Sequence, residues 1–198
     1  MPKITREEIL AVFRRLVARY GLDRVTMKEL AREAGVSVGT IYRHFENKEA
    51  LVSSIEETWL GHVRARNSQI LEREGAAEPK LYDLVVVHAA RLSEIVRTDQ
   101  AVFEMLMGAV RLRYIDHDVV DTRRRILDEM STAVATVLAE GTAQGDLDVS
   151  DPSDAARHFV DAFAEYFSPN ALVSRTHARV VAGLEGMFEF LMRGIRAR

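Results

Sequence analysis

The chain has 198 residues, 47% hydrophobic and 29% charged, with no cysteine. Disulfide frameworks, thiolate-held zinc, iron–sulfur clusters and thiol catalysis are therefore excluded, and no apolar run approaches the roughly 18 residues that span a bilayer. The formal charge of −3 is unevenly spread: residues 1–52 carry 10 Lys/Arg against 7 Asp/Glu, and residues 53–198 carry 17 against 23. That is a basic head on an acidic body, and a basic patch is the electrostatic footprint of a nucleic-acid binder. The start, Met1 to Glu8, lacks the apolar core of a signal peptide, which predicts a cytoplasmic protein with no membrane contact.

Thr5 and Glu8 have the spacing of a capping box. They open a first helix lined by Ile9, Phe13, Leu16 and Tyr20 and stopped at Gly21. Thr26 and Glu29 repeat the capping pair for a short second helix, and Ser37 is placed to cap a third over Val38–Phe45. A long helix from about Lys48 towards Glu72 is striped by Leu51, Ile55, Trp59, Val63 and Ile70. After a loop at Gly75–Pro79, helices are predicted near 80–97, 100–113 and 118–144. The run Val85-Val86-Val87 is strand-like alone, but Leu81, Leu84, His88, Leu92 and Ile95 recur around it at helical intervals. Asp151-Pro152 reads as an N-cap followed by proline at the first helical position, opening a helix to about Ser168. The last helix runs from about Thr176 to Arg196. Pro2, Pro79, Pro152 and Pro169 read as boundaries between helices. The expected fold is all-α with about nine helices: a three-helix head over residues 1–50 and a helical body over 51–198.

Residues 26–45, TMKELAREAGVSVGTIYRHF, meet the steric demands of a helix-turn-helix. Ala31 is small where two helices cross, Gly35 can take the left-handed turn, and Ile41 fastens the second helix to the core. Helix–glycine–helix hairpins also occur in ordinary all-α cores, and this spacing alone leaves both readings open. The basic bias of the segment favours DNA, with the second motif helix entering the major groove.

Ser37 to Phe45, followed by Asn47-Lys48-Glu49-Ala50-Leu51, closely resembles the signature of the TetR family of bacterial transcriptional regulators, as does the upstream Val25 to Ala31. The specific match covers about residues 5–60, and the remainder is similar only in length and helical layout. Thr26, Lys28, Ser37 and Lys48, near helix starts, suit phosphate contacts, and the resemblance assigns phosphates to Tyr42 and His44 as well. Val38, Gly39, Thr40 and Arg43 remain as the face for base edges, where Arg43 can fork onto a guanine or simply hold a phosphate.

One short recognition helix reads too few base pairs for selectivity, which calls for a homodimer on a palindromic double-stranded DNA operator. Val181, Leu184, Phe188, Leu191 and Ile195 on the last helix, with Phe159 and Phe163 on the one before, form a candidate seam resembling the family's dimer bundle. The alternative is that both stripes pack inside one subunit. By the same resemblance the middle helices enclose a small-molecule effector. Trp59, His62, His88, Phe103, Met107, Tyr114, Phe163 and Tyr166 are the candidate lining, each also readable as core. Asp116-His117-Asp118 with Asp121 reads as helix capping rather than a metal site, and no cofactor is expected. No HExxH, GxSxG or phosphate-loop motif supports catalysis. The sequence therefore points to a DNA-binding regulator, a repressor released by its effector. An activator, an effector-independent regulator, or a helical adaptor that no longer binds DNA are the alternatives.

Overall fold

In a computed structural model of the chain the described residues are 4–105, 122–167 and 174–197. Among them every regular element is a helix, and pairing outside helices is limited to one antiparallel bridge between Leu147 and Arg196. They fall into two compact units. One is the described part of Met1–Trp59 and Arg97–Val120, the other that of Leu60–Val96 and Asp121–Arg198.

The first unit is built on α1 (Arg6–Tyr20), α2 (Met27–Glu33) and α3 (Val38–His44), with the start of α4 (Lys48–Leu71). The expected capping box forms at α1: Thr5 Oγ1 accepts from Glu8 N at 3.1 Å, and Glu8 Oε2 from Thr5 N at 2.8 Å. Gly21, at φ +79°, ends α1 and leads into a 3₁₀ turn, Leu22–Arg24. Ile9, Phe13, Val17, Leu22, Leu30, Ile41, Phe45 and Leu51 make one buried cluster, joined by Ala101 and Met105. Those two lie on α7, helical over residues 100–105, whose first turn is capped by Asp99 accepting from Ala101 N and Val102 N.

The second unit continues along α4 to α5 (Ala77–Tyr82), a π-helical turn over Asp83–Val87, and α6 (His88–Thr98). It then takes in α8 (Thr122–Gln144), α9 (Pro152–Phe163) and α10 (His177–Ile195). Two expectations change here. Pro79 does not close a loop but sits in the first turn of α5, where backbone N–H groups have no intrahelical partner to lose. The valine run is helical as the longer period predicts, but with an extra residue wound into a π turn. α8 packs on α9 and on α5. A Cβ built on Gly141 would stand 2.6 Å from Ala77 Cβ and 2.7 Å from Leu147 Cδ1. The chain end is tied down by Arg196, whose guanidinium grips both carboxylate oxygens of Glu78 at 2.9 and 2.6 Å and also reaches Glu189.

Candidate nucleic-acid interface

The helix-turn-helix forms where its residues require it. Thr26 and Glu29 close the second capping box at 2.9 and 3.2 Å, which starts α2. Gly35 takes φ +67° and Val36 N bonds back to Ala31 O at 3.0 Å, the 6→1 bond of a Schellman ending. Ser37 Oγ then accepts from Thr40 N at 3.1 Å and caps α3. Ile41 is the residue of α3 that is fully buried, and Phe45 follows it into the core. With a residue every 100° of turn, Gly39 and Arg43 stand almost opposite Ile41, with Tyr42 and Thr40 on the two flanks. The burial pattern agrees. Gly39 and Arg43 are exposed, Tyr42 is 52% exposed, and Val38, Thr40 and His44 are half-buried.

The side chains on this face already interact. Thr40 Oγ1 lies 2.9 Å from Ser37 Oγ, and Arg43 Nη2 makes a long 3.4 Å contact to the same Thr40 oxygen. A hydroxyl so engaged leaves the Thr40 methyl as its freer contact. Thr26 and Lys28 are exposed at the start of α2. Lys48, expected on a phosphate, donates to the Leu22 carbonyl at 3.2 Å and is half-buried, so one of its three N–H groups braces the 3₁₀ turn. Sequence reasoning missed Arg6. It donates to the His44 carbonyl at 2.7 Å and to Ser54 Oγ at 2.6 Å, and its guanidinium stacks 4.1 Å from the Phe45 ring. It thereby pins the C-terminal end of α3 to α1 and α4. Its partners are 38 and 48 residues away, too far for any local pattern to reveal.

Residues 9–55 match the family described as bacterial regulatory proteins, tetR family, and residues 77–186 match the tetracyclin repressor-like C-terminal domain. The chain belongs to the TetR family. It is 30% identical over 153 residues to the HTH-type transcriptional repressor KstR2 of Mycolicibacterium smegmatis, spanning 75% of this chain and 72% of that protein. Two solved structures share the fold at 19% identity and a TM-score of 0.69. One is the regulator FadR from Bacillus subtilis in complex with stearoyl-CoA, covering 94% of this chain and 97% of that one. The other is a transcriptional regulator from Saccharomonospora viridis in complex with choline, covering 98% of each. This TetR-family chain is a DNA-binding transcriptional regulator, and none of its described helices is long and apolar enough to cross a membrane.

The remaining candidate residues of this TetR-family regulator scatter. Trp59 and Phe103 are half-buried in the first unit, His62 is exposed, and Met107 and Tyr114 lie outside the described residues. His88 is buried beside Arg66, Phe163 is fully buried, and Tyr166 is half-buried with its hydroxyl against Gly183. The expected seam needs correction. Phe159, Phe163, Leu184 and Phe188 are at most 5% exposed within a single chain. Phe188 packs edge-on to Tyr82 at 5.2 Å and to Phe159 at 6.2 Å, so this stripe is subunit core. Val181, Leu191 and Ile195 are half-buried, whereas Phe190 is 72% exposed. The helical period alone could not say which of two adjacent stripes faces inward. Among the described residues no cluster of His, Asp or Glu is arranged to hold a metal.

Proposed function

We propose that the chain is a homodimeric repressor that binds a palindromic operator through α3 and is released by a small-molecule effector held in its C-terminal body. The observation carrying this is the face of α3: Gly39 and Arg43 opposite the buried Ile41, flanked by Tyr42 and Thr40, with no apolar side chain larger than Val38 to keep it out of a groove. Gly39 permits close approach, Arg43 supplies a base-reading fork, and Tyr42, Thr26, Lys28 and His44 supply phosphate contacts. Residues 1–50 carry the DNA-binding role and 51–198 the regulatory one.

The dimer uses the outer face of α10. Phe190 stands proud, with Gly186 and Gly194 one turn to either side and open space over both. A large side chain between two bare glycines suits the close crossing of an identical helix. The relatives' ligands, an acyl-CoA and a quaternary amine, are chemically unlike, so the effector's class has to come from this chain's own residues. The test is a gel shift with DNA from beside the chain's own gene over a range of salt. Selective, salt-dependent binding by a dimer, followed by lower transcription from that DNA, supports the reading. Higher transcription makes the protein an activator, and absence of any selective shift overturns the placing of its operator beside its own gene.

A further inference from the structure

Arg66, on α4, joins two features of the second unit. Its Nη2 donates to the Asp83 carbonyl at 2.7 Å, at the start of the π turn, and its Nη1 lies 2.9 Å from Nδ1 of His88, the residue that follows that turn. A guanidinium has only N–H donors, so Nδ1 must be the acceptor and the proton of the neutral ring sits on Nε2. Burial, together with the cations Arg66 and Arg91, lowers the His88 pKa to about 4 and keeps the ring neutral. His88 Nε2 is then a donor; it is buried and has no acceptor among the described residues. Asn67 Nδ2, on the residue after Arg66, is a second buried donor in the same condition. His88 and Asn67 are 7% and 6% exposed. Buried polar groups are paired in the great majority of cases, and a histidine serving only the core would use both ring nitrogens. π turns inside helices are rare and concentrate at functional sites; here one sets the position of His88.

Both unpartnered groups are donors, and both call for an acceptor. The charges facing His88 are Arg66 and Arg91, with Asp83 already paired to Arg73 at 2.7 Å, so the local field favours a partially or fully negative oxygen and opposes a cation. The Phe167 ring, 5.7 Å from the imidazole, and the buried Leu84, Val85 and Ala89 beside it are apolar. We propose that His88 Nε2, with Asn67 Nδ2 as second donor, is the polar anchor of the effector site, taking an apolar small molecule through a carboxylate or acyl carbonyl oxygen. This rests on the effector-controlled reading above and gives it a ligand class.

The probes are decanoate, methyl decanoate and decyltrimethylammonium, of equal chain length, titrated below their micelle concentrations into the full-length protein without DNA. Calorimetry should show both oxygen-bearing probes bound at least tenfold more tightly than the cation. His88→Leu should abolish that preference. His88→Gln, which keeps an acceptor for Arg66 and a donor beyond it, should restore most of it. Nitrogen-15 NMR of the free protein should show His88 as the Nε2–H tautomer, a readout independent of whether the leucine variant folds. Equal or tighter binding of the cation, no binding of either oxygen-bearing probe, an Nδ1–H tautomer, or unchanged preference in His88→Leu each overturns the proposal. Preference unchanged in Asn67→Leu overturns the second donor. None of these outcomes alters the gel shift, so the ligand class can fail while the DNA-binding reading stands.

Discussion

Arg43 and Tyr42 are neighbours on α3, but they stand differently to the buried Ile41, and their variants should differ in kind. Arg43 lies almost opposite the core, where a base edge would be. Arg43→Ala should relax selectivity at one operator base pair by about 1–3 kcal/mol. Tyr42, on the flank, should contribute a phosphate contact, so Tyr42→Phe should weaken specific and random DNA by the same factor. Operator selection together with filter binding on random DNA separates the two effects, and a changed consensus for Tyr42→Phe would reverse the roles. His88 yields a second residue-scale expectation. Its folded pKa, about 4, lies below the ordinary imidazole value of about 6.5. An unfolded chain therefore takes up a proton as pH falls through 6.5 while the native chain does not. Stability present above that pH is lost progressively down to about 4, by at most about 3 kcal/mol. Arg66 and Arg91, which face the ring, stay charged throughout. Urea unfolding at pH 7, 5.5 and 4.5 should show the wild type losing stability relative to His88→Gln, with the two curves parallel if the ring is not held neutral.

At the scale of elements, the helices and their starts were legible because their causes are local. Thr5–Glu8, Thr26–Glu29 and Ser37 cap as their spacing requires, and Gly35 turns the chain where only glycine does so without strain. What the sequence could not show is pairwise and remote: Arg6 on the end of α3, Lys48 on the Leu22 carbonyl, Arg66 on His88, and the choice between two stripes of α10. Periodicity marks an apolar face but not its occupant, and the π turn adds a residue that no 3.6-residue period anticipates. The glycines make the same distinction testable. In the middle of α4, Gly61 has open space where a Cβ would go, so Gly61→Ala should stabilise by about 0.5–1 kcal/mol through helix propensity alone. Gly141, in α8, is closed by Ala77 and Leu147, and Gly141→Ala should instead destabilise by about 1–3 kcal/mol despite the same propensity gain. Thermal unfolding of the pair decides it. Two stabilised variants would mean that α5 and α8 can separate at little cost.

For the whole molecule, the proposed dimer and the selectivity of operator binding are one question. A single α3 meets only a few base pairs, and two must lie about 34–36 Å apart, or a whole number of turns further, to enter successive major grooves on one face of the duplex. Breaking the dimer should therefore remove operator selectivity while leaving each head intact. The substitution has to be chosen by burial and not by period. Phe188→Glu would place a carboxylate against Tyr82 and Phe159 inside the subunit and should unfold the chain, whatever its oligomeric state. Phe190 is 72% exposed and shows no aromatic partner among the described residues, so one chain alone loses little from Phe190→Glu. In a two-fold interface the same change sets a carboxylate facing its own copy across desolvated ground. Sedimentation should find Phe190→Glu monomeric with an unaltered helical circular dichroism spectrum. Its operator affinity should fall to that for random DNA, while its affinity for random DNA falls far less. A fully dimeric Phe190→Glu protein would move the interface off this face of α10, and a monomer that still selects its operator would remove the need for a dimer.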